Sequence, residues 1–271
     1  MGYMSPTIDF LHEAERHLRI CLEGLRPKLL ESQGNIEHHL KDDKSVVTEM
    51  DTFVEEKLKE AMEKLDPSIG FGGEEGGVDF SQPTFWLADP IDGTDAFIRG
   101  LPFATSMIAL IDNGQPVFSL IYNFTMGDFY IAIKGHGATV NGHPLHVSDR
   151  NIDHAWVMLK MTEDTPGALQ VAEDLSHKVN RIRRFAGAGF DYHSIASGSM
   201  DGLIQFHGHG HEWDFAPGVL LVQEAGGRVA NLGSDMYNYR IFNHIAANPV
   251  IFDALMEFME TKTRDAKDTA V

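Results

Sequence analysis

Apolar residues recur along this chain at two periods, and the period changes divide it into elements. Ile8, Leu11, Ala14, Leu18 and Cys21 fall at helical spacing behind Ser5-Pro6, which reads as an N-cap followed by proline at the first helical position. They predict an amphipathic helix to about Leu30. Asn35 to Lys44 is polar and reads as a loop. Thr48 is placed to cap a second helix running to about Leu65, ended by Asp66-Pro67. Ile69 to Phe71 has strand character and opens into Gly72-Gly73-Glu74-Glu75-Gly76-Gly77. Phe85 to Ala88, Ala104 to Ile111, Pro116 to Phe124 and Phe129 to Ile133 read as strands, with Asn113-Gly114 and Gly127-Asp128 as hairpin turns. Asn141-Gly142 marks another turn before Leu145. The first half, residues 1–150, is therefore helices followed by an antiparallel-type sheet. From about Asn151 strands and helices alternate. Strands are predicted at Ala155–Leu159, Ile182–Phe185, Leu203–Phe206, Arg228–Ala230 and His244–Ala247. Helices are predicted at Gly167–Val179, Asp191–Ser197, Trp213–Ala225 and from Val250 to about Thr263. That alternation argues for a layered α/β second half, residues 151–271, packed against the first as one unit.

The length of 271 residues accommodates one large α/β domain or two closely packed halves. Charge narrows the partners: 22 Lys+Arg against 40 Asp+Glu give −18. Such a field repels nucleic acid and anionic membrane. It also repels a phosphorylated substrate unless bound cations reverse the sign locally. Cys21 is the one cysteine, so no intrachain disulfide forms, which fits a reducing, cytoplasmic setting. Met1 to Arg19 has no apolar signal-peptide core, and no apolar run reaches membrane-spanning length.

The candidate chemistry centres on Trp86-Leu87-Ala88-Asp89-Pro90-Ile91-Asp92-Gly93-Thr94-Asp95. An apolar strand runs into a turn crowded with carboxylates. Pro90 lacks a backbone donor, so a regular ladder is not expected to pass it. Gly93 allows a tight path, and Thr94 is a plausible start for a short helix. Hard divalent cations such as Mg²⁺ want oxygen ligands of this kind, and amides at Gly93-Thr94 suit a phosphate oxygen. A solvated acidic turn is the competing reading, so further carboxylates matter. Asp51 lies in the first turn of the second helix, where it would complement the helix dipole or face a metal site. Glu74 precedes the Asp89 strand closely enough for hairpin-like pairing to bring it to the same turn. Asp214, in His211-Glu212-Trp213-Asp214, sits at the start of an apolar helix, as a cap or as a second acidic anchor.

Taken together these segments resemble the inositol monophosphatase family. The resemblance is carried by Val47-Thr48-Glu49-Met50-Asp51, Gly73-Glu74-Glu75, Trp86 to Thr94, Gly100-Leu101-Pro102-Phe103, Lys134 to Gly142, and Trp213-Asp214-Phe215-Ala216-Pro217-Gly218 with Glu224-Ala225-Gly226-Gly227. It implies alternating helix and sheet layers, with a mostly antiparallel first sheet and a mixed second sheet, in a homodimer. It also implies hydrolysis of a small phosphorylated metabolite with two to three Mg²⁺, often inhibited by Li⁺. By motif match, Glu74, Asp89 and the Ile91 carbonyl would hold one Mg²⁺. Asp89, Asp92 and Asp214 would hold a second, and a weaker third would sit near Glu74. Gly93 and Thr94 amides would bind phosphate, and Thr94, hydrogen-bonded to Asp51, would orient the attacking water.

The chain departs from inositol-specific members between Gln205 and Glu212, where no glutamate aligns with the one that binds a sugar-like hydroxyl. Gly189, Phe190, Gln205 and His207 are the candidate substrate contacts, with Phe190 narrowing the pocket. His207, His209 and His211 alternate with glycine and would share one face of an extended segment, as a flexible polar loop or a transition-metal site. Inositol-1-phosphate or a similar polyol phosphate is the leading substrate. Histidinol phosphate, a 3′-phosphonucleotide and a sugar bisphosphate are alternatives, and a non-catalytic metal-binding regulator is the reading from another class.

Overall fold

The computed structural model describes residues 5–40, 46–161, 167–185, 187–206 and 210–268, with side chains to residue 262. Helix α1 (Ile8–Ser32) is capped by Thr7, whose hydroxyl accepts from the Phe10 amide at 3.3 Å, so Ser5-Pro6 lies outside it. Strand β1 (His38–Leu40) pairs antiparallel with β2 (Val46–Thr48) where a loop was expected. All three β1 residues are exposed, so this strand touches no core and leaves no apolar signature. Helix α2 (Glu49–Leu65) follows directly, with Thr48 as its cap.

Then come β3 (Gly70–Gly73), β4 (Thr84–Asp92), the short α3 (Thr94–Ile98), β5 (Thr105–Asp112), β6 (Gln115–Asn123), β7 (Asp128–Ile133), β8 (Ala138–Val140) and β9 (His143–Pro144). Among the described residues they form one sheet in the order β3-β4-β5-β6-β7-β8-β9, antiparallel throughout except for the β3–β4 pair. The second half supplies β10 (Trp156–Lys160), α4 (Ala168–Ser176), β11 (Arg181–Arg183), α5 (Ala188–Ala196), β12 (Gly202–Gln205), α6 (Glu212–Glu224), β13 (Arg228–Asn231), β14 (His244–Ala247) and α7 (Pro249–Asp268). Its sheet has the order β11-β10-β12-β14-β13, with β10 parallel to β11 and β12 and the remaining pairs antiparallel.

Alternation along the strands assigns the layers. Trp86 and Ala88 of β4, Ile108 and Leu110 of β5, and Phe118 and Leu120 of β6 pack with the apolar stripes of α1 and α2. Residues one step away, Met107 and Ile121, face α5 and α6 together with Met158 and Leu203 of the second sheet. The far face of that sheet buries Val157, Leu159 and Ile204 against α4 and α7. Helix α6 is apolar on every side from Phe215 to Val222 because sheets lie on both sides of it. Trp86, fully buried and edge-on to Phe118 at 5.9 Å, anchors the first layer; burying a side chain of this kind contributes about 2 kcal/mol. No helix among the described residues is long and apolar enough to cross a membrane.

Candidate active site

Strands β3 and β4 run parallel with Gly73 beside Ala88, so both end at the same edge of the sheet. The next residues are Glu74 and Asp89, and the Glu74 amide donates to the Ala88 carbonyl at 3.2 Å. Glu74 thus reaches the corner by parallel pairing, which corrects the hairpin expectation.

Pro90 does not end β4. The ladder passes it through a bulge: Asp89 pairs with Met107 and Asp92 with Thr105, leaving two residues on β4 opposite one on β5. In a regular strand residues 89 and 92 would point to opposite faces. The extra residue restores the parity, so both carboxylates turn the same way. The Ser106 hydroxyl donates to the Pro90 carbonyl at 2.7 Å and fixes the bend.

Asp214 arrives from the first turn of α6, where its carboxylate accepts from the His211 amide at 2.6 Å. Asp89, Asp92 and Asp214 each place a carboxylate oxygen within 4.8 Å of the others. Asp89 and Asp92 are buried and Asp214 is half-buried. Asp89 Oδ1 is buried with no hydrogen-bond partner. Burial raises the Asp89 pKa well above its ordinary value, and the Glu74, Asp92 and Asp214 charges add to the shift. Burial, then the Asp92 charge, push Asp214 up to about 7. Burial also raises Asp92, but three donors favour its anion: the Ala188 and Gly189 amides at 2.8 Å each and the Thr105 hydroxyl at 3.0 Å. Those amides open α5, so the helix dipole adds to the effect.

Asp51 closes the cap of α2 and also reaches Thr94. Its Oδ2 accepts from the Thr48 amide at 2.7 Å and hydroxyl at 2.6 Å, closing a capping box. Its Oδ1 lies 3.1 Å from Thr94 Oγ1. Burial pushes Asp51 up to about 6 against these hydrogen bonds. Thr94 Oγ1 also lies 3.0 Å from the Ile91 carbonyl. One hydroxyl proton cannot serve both acceptors fully, so Asp51 and the Ile91 carbonyl compete for it. Gly93 has φ 78°, a left-handed turn that starts α3. The first amides of a helix have no partner within it.

The candidate substrate contacts fall differently. The Gly189 amide is committed to Asp92, and a Cβ there would lie 2.1 Å from Thr105 Oγ1, so its requirement is close backbone approach. Phe190 is half-buried and packs edge-on to Phe103 at 4.9 Å and near Phe185 at 5.2 Å. Gln205 is 4 % exposed, in register between Lys160 and His244. His211 begins α6 with its ring stacked on Trp213 at 4.6 Å. His207 and His209 lie outside the described residues.

Sequence reasoning missed Thr105 and the Lys160–Asp191 pair. The Lys160 ammonium is 2.5 Å from the buried Asp191 carboxylate and donates to the Phe185 carbonyl at 2.8 Å. Burial holds Asp191 at about 7 even with that partner. Lys160 also lowers the pKa of Asp92, so a cation stands behind the acidic corner. Its one signal was a lysine ending the otherwise apolar strand from Trp156 to Leu159.

With this geometry established, comparison with known proteins gives a consistent result. The profile of the Inositol monophosphatase family matches residues 11–263. An inositol monophosphatase of Mesembryanthemum crystallinum is 29 % identical over 265 residues, spanning 93 % of this chain and 96 % of its own. A protein of Aquifex aeolicus described as fructose-1,6-bisphosphatase/inositol-1-monophosphatase is 30 % identical over 229 residues, 82 % of this chain and 84 % of its own. The crystal structure of the extragenic suppressor protein suhB from Bartonella henselae superposes with a TM-score of 0.82 at 28 % identity, covering 91 % of this chain and 98 % of its own.

Proposed function

The chain belongs to the inositol monophosphatase family, and from that premise we propose that it is a Mg²⁺-dependent phosphomonoesterase acting on a small polyol phosphate such as inositol-1-phosphate. One observation carries the reading. Three carboxylates lie within 4.8 Å of one another, and Asp89 Oδ1 is buried without a donor. Burial of unpaired charge at this density is strongly unfavourable, and hard oxygen-binding cations are the partners that relieve it. Glu74, Asp89, Asp92, Asp214 and the Ile91 carbonyl would hold two to three Mg²⁺. Bound there, the cations supply charge neutralisation for the phosphate and acidify a bound water.

The chain's own groups do the positioning. The three donors on Asp92 keep that carboxylate ionised and aimed. Asp51 accepts the Thr94 hydroxyl proton, which leaves the Thr94 oxygen free to accept from a water and orient its attack. Amides at Gly93 and Thr94 suit the phosphate oxygens at the start of α3. Because a phosphoryl-transfer transition state is loose, such positioning and charge neutralisation supply most of the acceleration.

Two features keep related esters in view as a second reading. No glutamate stands several residues before Trp213-Asp214, where many inositol-specific members carry one, since Glu212 is too close to Asp214, and Phe190 with Phe103 and Phe185 forms a half-buried aromatic patch just after the Asp92 donors. Histidinol phosphate, a 3′-phosphonucleotide and a sugar bisphosphate fit that reading. A panel of phosphomonoesters, assayed with Mg²⁺ and after chelation, tests both. Turnover of at least one ester is expected, lost on chelation and restored by Mg²⁺. No hydrolysis of any ester, with the protein folded and Mg²⁺ present, would favour the non-catalytic regulator.

A further inference from the structure

We propose that Glu55 is a positioning residue for Glu74: its buried carboxylate grips the loop that carries Glu74 and fixes that loop at the acidic corner. The proposal rests on the phosphatase reading above. Asp51 and Glu55 stand four residues apart on α2 and therefore share a face. Both are buried, and two carboxylates at that spacing repel each other when ionised. Each answers that repulsion by accepting donors from a different part of the corner. Asp51 takes the Thr94 hydroxyl. Glu55 Oε2 takes the Glu75 amide at 2.9 Å, and the Gly76 amide donates to the same carboxylate.

The loop is shaped to allow this. A Cβ on Gly73 would lie 2.3 Å from Glu55 Oε2, and one on Gly76 would lie 2.8 Å from Oε1. Only glycine at both positions lets the backbone close on the carboxylate. Gly73 and Gly77 bond each other in both directions, at 3.3 and 2.9 Å, which closes the turn around Glu74, Glu75 and Gly76. The Glu74 backbone is thus held from β4 on one side, through the Ala88 carbonyl, and from α2 on the other. One helix face sets the two loops on which hydrolysis depends.

Glu55→Gln tests this with little change of shape. Glutamine offers one acceptor oxygen and an NH₂, so one loop amide would meet a donor. Amide exchange of peptides spanning 72–78, measured without metal, is expected to speed up by about tenfold, with peptides of β4 and β5 unchanged. Calorimetric Mg²⁺ affinity is expected to fall by about tenfold, as for other groups that hold a ligand in place. Turnover at saturating Mg²⁺ should stay within about threefold, the pattern of lost positioning rather than lost chemistry. Gly76→Ala, at an exposed position, should shift exchange and affinity in the same direction by crowding Oε1, and it decides the matter should Glu55→Gln fail to fold.

Exchange and Mg²⁺ affinity both unchanged would overturn the proposal. So would weakened affinity with unchanged loop exchange, which would make Glu55 a ligand instead. A parent protein that binds no Mg²⁺ removes the phosphatase reading itself, a distinct result visible before any variant is made.

Discussion

Asp214→Asn should make the metal-free protein more stable at pH 8 while abolishing turnover. The Asp214 carboxyl is held at about 7 instead of 3.8 by burial and by the Asp92 charge. Ionising it in the folded protein therefore costs about 4 kcal/mol more than in the unfolded chain. The sign follows from linkage: a carboxyl whose folded pKa is raised contributes stability that is full below 3.8 and is lost as pH rises through about 7. At pH 8 without metal the penalty stands in full; at pH 5, which lies above the unfolded value of 3.8, somewhat over a third of it, about 1.6 kcal/mol, is already present. Asparagine carries no charge, and its Oδ1 can still accept from the His211 amide that Asp214 accepts from at 2.6 Å. The gain at pH 8 should be about 2–4 kcal/mol, the smaller figure applying where Asp89 retains a proton shared between the two. At about 2–4 °C per kcal/mol for a chain of this size, the melting temperature in EDTA should rise by about 4–16 °C at pH 8 and by less than half as much at pH 5. Scanning calorimetry of parent and variant at both pH values, with and without Mg²⁺, is the assay, and Mg²⁺ should stabilise the parent far more than the variant. A variant less stable than the parent at pH 8 in EDTA would refute the reasoning, because the three carboxylates would then not be in conflict.

Two further outcomes are expected. Gly189→Ala places a methyl 2.1 Å from Thr105 Oγ1, so α5 must retreat from Asp92. A loss of about 1–3 kcal/mol in thermal unfolding should come with turnover reduced at least about tenfold. Thr94→Val keeps the shape but removes the hydroxyl between Asp51 and the Ile91 carbonyl. Its turnover should fall by about 10²-fold with KM nearly unchanged, since the group acts on the water and not on the substrate.

Much of the corner was legible because it is local. Asp89, Asp92 and Thr94 lie within six consecutive residues, and Asp51 lies in a helix whose cap, Thr48, announces itself. Asp214 needed the resemblance, since an acid at a helix start is ordinary in isolation. The direction of β3–β4 pairing was not legible: a strand buried on both faces reads as the same unbroken apolar run, Phe85 to Ala88, whether its neighbour is parallel or antiparallel. The bulge at Pro90 hid for a related reason, because proline signals a broken ladder whether the chain leaves the sheet or only bends within it. The amide that Gly189 donates to Asp92 was not legible, because main-chain donors carry no side-chain signature. Lys160 and Glu55 have no signature in the sequence because long charged side chains read as solvent-facing, and only packing reveals that these two turn inward.

The bulge between Asp89 and Asp92 makes the corner sensitive to counting as well as to chemistry. Exchanging one amino acid for another there changes what a ligand is. Removing one from the segment changes which side of the sheet it addresses, and no choice of replacement elsewhere in the strand brings it back. A change of length between the two carboxylates therefore does to this corner what no exchange of the residues between them does.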